Sequence, residues 1–387
     1  MKLKVALVHD YLKDAGGAER VLKVLTEIYP EAPIYTSFRV RDSDAGRIFD
    51  GREIHESFLA PILKIWRLYS PLRFLLPIIW GSFDLSKYDL VITSSSNYIA
   101  RGFRVGKNTK VVCYCHTPPR FLYGFKTGYD WKKNIIVRIY GEIIGWYLRI
   151  YDKATAQRIN YWIANSRNVA ERIMRFYGKE SVVIYPPVTV SHRESSFLRG
   201  PASQSASLSG SLDAKPYFLT VSRLVGSKGL VETVKLANRL NFHLKVVGSA
   251  DGFTSVEDHL KKIGRENVEF LGRVSDKELW DLYKNAKGFI ALARDEDFGL
   301  TVVEAQAAGV PVIAFNGGGF RESVVDGKTG ILINDLKERT LENAIKKFER
   351  MKWNKRVILK NTERFSKQNF IRDFKEYINS CMRQHDN

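Results

Sequence analysis

Between Asp295 and Gly319 the chain reads DEDFGLTVVEAQAAGVPVIAFNGGG, which places two acids, Glu296 and Glu304, around Phe298-Gly299-Leu300-Thr301. Gly299 lets a backbone come close to a ligand. Leu300 and Thr301 open a segment that reads as a helix as far as Ala308, closed by Gly309 and Pro311, so their amides would face an anion. Glu296 lies just before that anion position and Glu304 one turn inside the helix. A nucleotide diphosphate sugar fits this layout, with its diphosphate on the helix start, its sugar against Glu296 and its ribose hydroxyls against Glu304. A plainer reading stands beside it. Thr301-x-x-Glu304 also matches a capping box, which needs no ligand, and an acid placed like Glu296 is usually solvated.

Two cations could complete such a site. Arg223 and Lys228 flank a strand-to-helix turn, SRLVGSKG. They are either two solvated charges or a diphosphate clamp, with arginine as the fork and lysine as the point charge. In the first half, His116 falls just beyond an apolar run, KVVCYC. Ligands of open α/β sheets bind beyond the carboxyl ends of strands, although a lone histidine is more often structural. Gly16-Gly17 follows the first apolar run and precedes a helical pattern, a turn that suits phosphate but lacks the G-x-G-x-x-G spacing. Cys113 and Cys115 beside His116 lack the second ligand pair that a zinc site needs, so no metal is expected. Three cysteines in 387 residues fit a reducing cytosol rather than a disulfide framework.

These residues need strands to carry them. Buried-strand patterns occur at 5–9, 33–38, 88–93, 110–115, 161–164 and 182–185, and again at 217–221, 244–247, 268–271, 288–293, 310–315 and 330–333. Helical patterns intervene at 18–29, 131–158, 167–177, 276–285 and 301–308. Such alternation predicts parallel sheets with helices on both faces. A boundary is expected at Pro186-Pro187, giving a first domain over 1–190, a linker rich in Ser, Gly and Ala over 191–215, a second domain over 216–365 and an amphipathic last helix over 366–387.

The stretch EDFGLTVVEAQAAGVPVIAFNGGGFRESVVDGKTGIL resembles the E-x7-E donor-site motif of glycosyltransferase family 4, the retaining GT-B enzymes. ALVHDYLKDAGGAERVL resembles that family's opening and CYCHTPPRFLYG its C-H-T-P motif; R-x4-K-G is present at Arg223. The resemblance implies a GT-B fold, two doubly wound Rossmann-like domains facing a cleft, with the last helix returning to the first domain. It implies that His116 and Glu296 act beside the transferred sugar. Gly16 and Gly17 would face the donor phosphate, and Arg223, Lys228, Phe298, Gly299, Leu300, Thr301 and Glu304 would bind the nucleotide, with base contacts near Gly272 and Arg273. The resemblance implies no cofactor and no metal, although Asp-x-Asp spacing occurs at Asp42-Ser43-Asp44 and Asp295-Glu296-Asp297. Thr189 stands where the family often has aspartate. The opening and C-H-T-P segments most resemble bacterial and archaeal mannosyltransferases of surface polysaccharide assembly, so GDP-mannose is the first-choice donor. The implied acceptor is a glycan or a polyprenyl-diphosphate-linked glycan. A GT-B nucleotide-sugar epimerase or hydrolase is the alternative.

The net charge of +19 implies an anionic partner. No nucleic-acid-reading motif appears, so a nucleic-acid partner is not expected. Residues 58–80 are apolar and aromatic with only basic charges, Lys64, Arg67 and Arg73. From Arg101 to Arg138 nine basic residues accompany a single acid, Asp130, with Phe103, Phe121, Tyr123, Phe125 and Trp131 among them. Basic residues beside aromatics suit an anionic membrane surface; a core helix and a cleft lined for an anionic acceptor are the other reading. MKLKVALVHD lacks the uninterrupted apolar core of a signal peptide. The expected location is the cytoplasm, peripheral on the cytoplasmic face of the membrane.

Overall fold

A computed structural model describes residues 3–65, 69–125, 135–188, 215–250 and 254–383. The chain divides into two compact units, one made of residues 1–187 with 367–387 and the other of 188–366. The linker expected over 191–215 lies outside the described residues except at Lys215.

The first unit holds seven parallel strands: β1 Val5–His9, β2 Ile34–Thr36, β3 Ile54–Glu56, β4 Leu90–Ser95, β5 Lys110–Cys115, β6 Tyr161–Ala164 and β7 Val182–Val183. Their spatial order is β3-β2-β1-β4-β5-β6-β7. The winding therefore reverses between β1 and β4, which pair in parallel with His9 opposite Ser94. β1, β4 and β5 are buried along their whole length, which explains their unbroken apolar character. Cys113 and Cys115 point into one core layer with Val8, Val91 and Trp162, as period-two alternation requires. The opposite layer packs helix Gly17–Ile28 through Val21, Leu22 and Leu25, and helix Lys367–Arg383 through Phe370, Phe374 and Ile378.

The second unit holds six parallel strands: β8 Tyr217–Val221, β9 His243–Val247, β10 Val268–Gly272, β11 Gly288–Ala291, β12 Val312–Phe315 and β13 Gly330–Ile333. Their order is β10-β9-β8-β11-β12-β13, so the winding reverses between β8 and β11. One face is covered by helices Leu230–Leu240 and Glu338–Arg350, whose Leu230, Val234, Leu341, Ile345 and Phe348 form a core layer with Phe218 and Ile290. The other is covered by Asp276–Asn285 and Leu300–Ala307, through Leu279, Tyr283, Val302 and Ala305.

The segment expected as a continuous apolar surface over 58–80 is divided in the structure. Leu63, Leu76, Ile79 and Trp80 are buried, whereas Phe58, Ile62, Ile65 and Ile78 are exposed. Trp66 and Arg67 lie outside the described residues. Arg101, counted in the basic run, is buried and ion-paired with Asp152, whose carboxylate also accepts from Tyr123 at 2.6 Å and Tyr177 at 2.9 Å. It is therefore part of the core, held by a carboxylate from helix Ile135–Ala156. Lys110 is likewise buried. Lys126, Lys132, Lys133 and Trp131 fall outside the described residues.

Candidate functional site

The strand order places one reversal in each sheet, and the polar residues singled out above collect at the carboxyl ends beside them. In the second unit the chain leaves β8, passes Arg223 and makes a short 3-10 turn at Gly226–Lys228 before helix Leu230–Leu240. Gly229 joins the two with φ +70°, and a Cβ there would lie 2.6 Å from both Cβ and the carbonyl oxygen of Leu292. Only glycine lets this turn sit against the segment that follows β11. That approach puts Lys228 Nζ 2.6 Å from Glu296 Oε2. The pair thus spans β8 and β11, where the winding reverses and where such sheets bind ligands. Arg223 is exposed on the same turn.

Helix Leu300–Ala307 begins at Gly299, whose φ is +91°; a Cβ at that position would stand 2.4 Å from Phe320 Cε1. Gly299 is the N-cap and no side chain caps the helix. Thr301 is accordingly the second helical residue, and the capping-box reading of Thr301 and Glu304 is incorrect. Glu304 is buried and accepts a hydrogen bond from the Tyr283 hydroxyl at 2.9 Å. The amides of Leu300 and Thr301 belong to the first turn, where no intrahelical carbonyl is in reach. Phe298 is turned into the core edge-on to Phe365, with ring centroids 5.3 Å apart, so only its backbone can meet a ligand. The Gly319 amide donates to the Glu296 carbonyl at 2.8 Å, tying the glycine run to the acid. At the end of β10, the Gly272 carbonyl accepts from Gly248 at 2.8 Å and Arg273 Nε donates to Ser249 Oγ at 2.9 Å. The turns after β9 and β10 are fixed to each other by these bonds.

The first unit brings together groups that are far apart in sequence. His116 follows β5 and is buried. Its Nε2 is 2.8 Å from Ser94 Oγ, which is 3.0 Å from His9 Nδ1. His9 Nε2 is 3.3 Å from Glu19 Oε1, and Glu19 Oε2 accepts from the Gly16 amide at 2.8 Å. The glycine pair and His116 are therefore two ends of one hydrogen-bonded row. The Asn165 side chain donates to the His116 carbonyl at 2.9 Å. Burial pushes the His116 imidazole down to about 3, so it is neutral at ordinary pH. Asp10 gathers the amides of Ser96, Tyr98 and Ala100 at 3.0, 2.9 and 3.2 Å, which shapes the loop after β4. Burial raises its pKa above the ordinary value, opposed by the hydrogen bonds from Ser96 and Tyr98. Among the described residues no group of three His, Cys, Asp or Glu side chains is placed to hold a metal ion.

His9, Glu19, Ser94 and Tyr283 were not singled out from the sequence. Two weak signals exist: polar residues at the carboxyl ends of the first and fourth strands, and a Gly16-x-x-Glu19 spacing that suits a helix start. Tyr283 gives no local signal, because it meets Glu304 from a separate helix.

Comparison with known proteins shows the family and the fold. Residues 15–192 match the family Glycosyltransferase Family 4, and residues 208–368 match Glycosyl transferases group 1. The chain is similar to alpha-1,3/1,6-mannosyltransferase ALG2 of Dictyostelium discoideum, 26% identical over 283 residues, which is 65% of this chain and 65% of that protein. The matched stretch thus spans just under two thirds of that relative. A 41.2 kDa protein from the cps region of Klebsiella pneumoniae is 28% identical over 277 residues, 69% of this chain and 71% of that one. Among solved structures, the Anabaena protein HepE in complex with UDP and glucose superposes with a TM-score of 0.67 at 18% identity, covering 98% of this chain and 100% of that chain.

Proposed function

The chain is a family 4 glycosyltransferase with the GT-B fold, and from that premise we propose that it transfers a hexose, first choice mannose from GDP-mannose, to a glycan or a polyprenyl-diphosphate-linked glycan. The observation that carries the donor part of this reading is the Lys228–Glu296 pair at the reversal of the second sheet, beside the uncapped start of helix Leu300–Ala307. A nucleoside diphosphate leaving group gathers negative charge as the glycosidic bond breaks. Arg223, Lys228 and the amides of Leu300 and Thr301 would stabilise that charge without a metal. Glu296 would then hold the sugar and Glu304 the ribose. Transfer would proceed with retention, the acceptor hydroxyl attacking from the face the diphosphate leaves and giving its proton to the departing phosphate. A neutral His116 suits a hydrogen bond to a sugar hydroxyl better than ion pairing. Mannose is favoured by similarity to a mannosyltransferase. Glucose from a UDP donor is the second reading, because a protein of the same fold binds UDP and glucose.

A peripheral membrane contact is part of the proposal. Helix Ile135–Ala156 carries Ile135, Ile139, Ile143, Trp146 and Ile150, each between 53% and 62% exposed. Their spacing by threes and fours sets them on one face, and a stripe of that kind beside Arg138 and Lys153 fits the interface of anionic lipids. Among the described residues no helix is long and apolar enough to cross a membrane.

The test is a thermal-shift screen with GDP-mannose, UDP-glucose, UDP-GlcNAc and UDP-galactose, followed by product analysis with and without a glycan acceptor. A melting-temperature rise with GDP-mannose alone and product formation only with acceptor support the reading. Sugar release or sugar isomerisation without acceptor would replace it with the hydrolase or epimerase alternative.

A further inference from the structure

The row of side chains in the first unit has a direction that hydrogen-bonding rules determine. The Gly16 amide donates to Glu19 Oε2 at 2.8 Å, leaving Oε1 toward His9 Nε2 at 3.3 Å. A carboxylate only accepts, so His9 Nε2 carries the proton of that contact. A neutral imidazole has one N–H, so His9 Nδ1 accepts. The Ser94 hydroxyl, 3.0 Å away, must donate to it. The Ser94 oxygen is left with lone pairs, and His116 Nε2, 2.8 Å away, has to supply the proton. His116 is then protonated on Nε2 and bare on Nδ1. The order holds because parallel strands β1, β4 and β5 are adjacent, with His9 in register with Ser94.

We propose that Glu19, His9 and Ser94 are positioning residues that set the tautomer of His116, making its Nδ1 an obligate acceptor for a substrate hydroxyl. The inference deepens the transferase reading and rests on it for the identity of that hydroxyl as a sugar's. It assigns the helix start after Gly16-Gly17 a task distinct from phosphate binding. The helix start fixes Glu19, whose charge state and orientation are read out three side chains away. It also makes a chemical demand on the ligand, since the group facing Nδ1 must carry a proton to donate. A methyl ether or a deoxy carbon at that position meets an unpaired lone pair.

The test uses the full chain with 15N-labelled histidine at pH 8, above the ordinary imidazole value of about 6.5, so that neutral rings are observed. Of the seven histidines, His9 and His116 are assigned by difference spectra of His9→Gln and His116→Gln. The parent should show His116 as the Nε2–H tautomer. Glu19→Gln keeps the shape but reverses the row. The amide oxygen retains the Gly16 N–H, and the amide NH2 faces His9 Nε2, which must now accept. His9 turns to Nδ1–H, Ser94 turns its proton toward His116, and His116 becomes Nδ1–H. Adding Glu19→Gln to Ser94→Ala should leave His116 as it is in Ser94→Ala alone. A parent His116 protonated on Nδ1, or a folded Glu19→Gln protein in which His116 keeps its tautomer, overturns the proposal. These spectra need no turnover, so a protein that transfers no sugar still decides the relay.

Discussion

Glu296→Gln should separate nucleotide binding from turnover, and in the direction opposite to a simple loss of a binding residue. Lys228 Nζ is 2.6 Å from Glu296 Oε2, with the two side chains 18% and 21% exposed. Partly exposed pairs of this kind contribute about 0.2–1 kcal/mol. A lysine contact to a diphosphate, as a charge-assisted hydrogen bond, is worth about 1.5–3 kcal/mol. In the parent, Lys228 must leave or share Glu296 when a diphosphate arrives, so the observed affinity contains the second quantity less the first. Glutamine at 296 removes that competition and a negative charge near the anion. GDP or UDP should bind more tightly by roughly 0.2–1 kcal/mol, about 1.4- to 5-fold. Transfer of sugar should nevertheless fall sharply. Lys228→Ala should weaken nucleoside diphosphate binding in the parent and weaken it further in the Glu296→Gln background. Calorimetric titration of the four proteins of this double-mutant cycle at fixed ionic strength measures the coupling. If Lys228→Ala costs less in the glutamine background than in the parent, Lys228 does not move between carboxylate and diphosphate and the reasoning fails.

Tyr283→Phe removes one hydrogen bond to the buried Glu304 carboxylate and should lower stability by about 1–3 kcal/mol, with weaker GDP binding as Glu304 loses its orientation; an unchanged urea midpoint would refute it. Burial holds His116 neutral, with its folded value at about 3 against about 6.5 unfolded. The unfolded chain therefore binds the extra proton between these values, and stability falls as pH drops through that window by up to roughly 1.4 kcal/mol per unit. Urea midpoints at pH 7.5 and pH 5 should diverge by about 2 kcal/mol less in His116→Gln than in the parent, and parallel profiles would contradict this. Replacing Ile143 and Trp146 by serine should reduce co-sedimentation with anionic vesicles at low salt while leaving GDP affinity as in the parent. Equal sedimentation of the two proteins would remove helix Ile135–Ala156 from the membrane contact.

The strands were legible because a strand buried on both faces has an unbroken apolar run, as in VALVH of β1 and YFLTV of β8. The alternation of such runs with helical periods carried the topology class. The charged turn after β8 and the acids around Gly299 drew notice in the sequence because glycines flank them, but the contacts they make, Lys228 to Glu296 and Tyr283 to Glu304, join separate segments. Glu304 was ambiguous for a local reason. The same Thr-x-x-Glu spacing serves as a cap or as an interior turn, depending on whether the helix begins at residue 300 or 302. The positive φ of Gly299, where a Cβ would meet Phe320, makes it the N-cap and decides the matter. The His116 row was invisible because its members come from two strands, a helix and the residue just past a third strand, and only the β1–β4 register brings His9 to Ser94. Arg101 was read as surface charge because its carboxylate partner, Asp152, lies on a helix far along the chain. The amphipathic face of Ile135–Ala156 was obscured by the aromatics on the same helix, of which Tyr151 turns back to the core.

The first unit is closed by residues that leave the ribosome only after the whole second unit has been made. Phe370, Phe374 and Ile378 complete a core layer with Val21, Leu25 and Tyr114, and Tyr161 donates to the Cys381 carbonyl at 3.1 Å. Residues 188–366, a unit of their own, intervene. At about 5–20 residues per second, translating that insertion takes roughly ten to forty seconds. Throughout that interval one apolar face of the nascent first sheet is covered only in part, by helix Gly17–Ile28, while the second unit can complete its own core as soon as it emerges. A chain stopped before Phe370 would combine a finished second unit with an adhesive first one, and quality control would recognise that exposed layer rather than any defect at the catalytic residues.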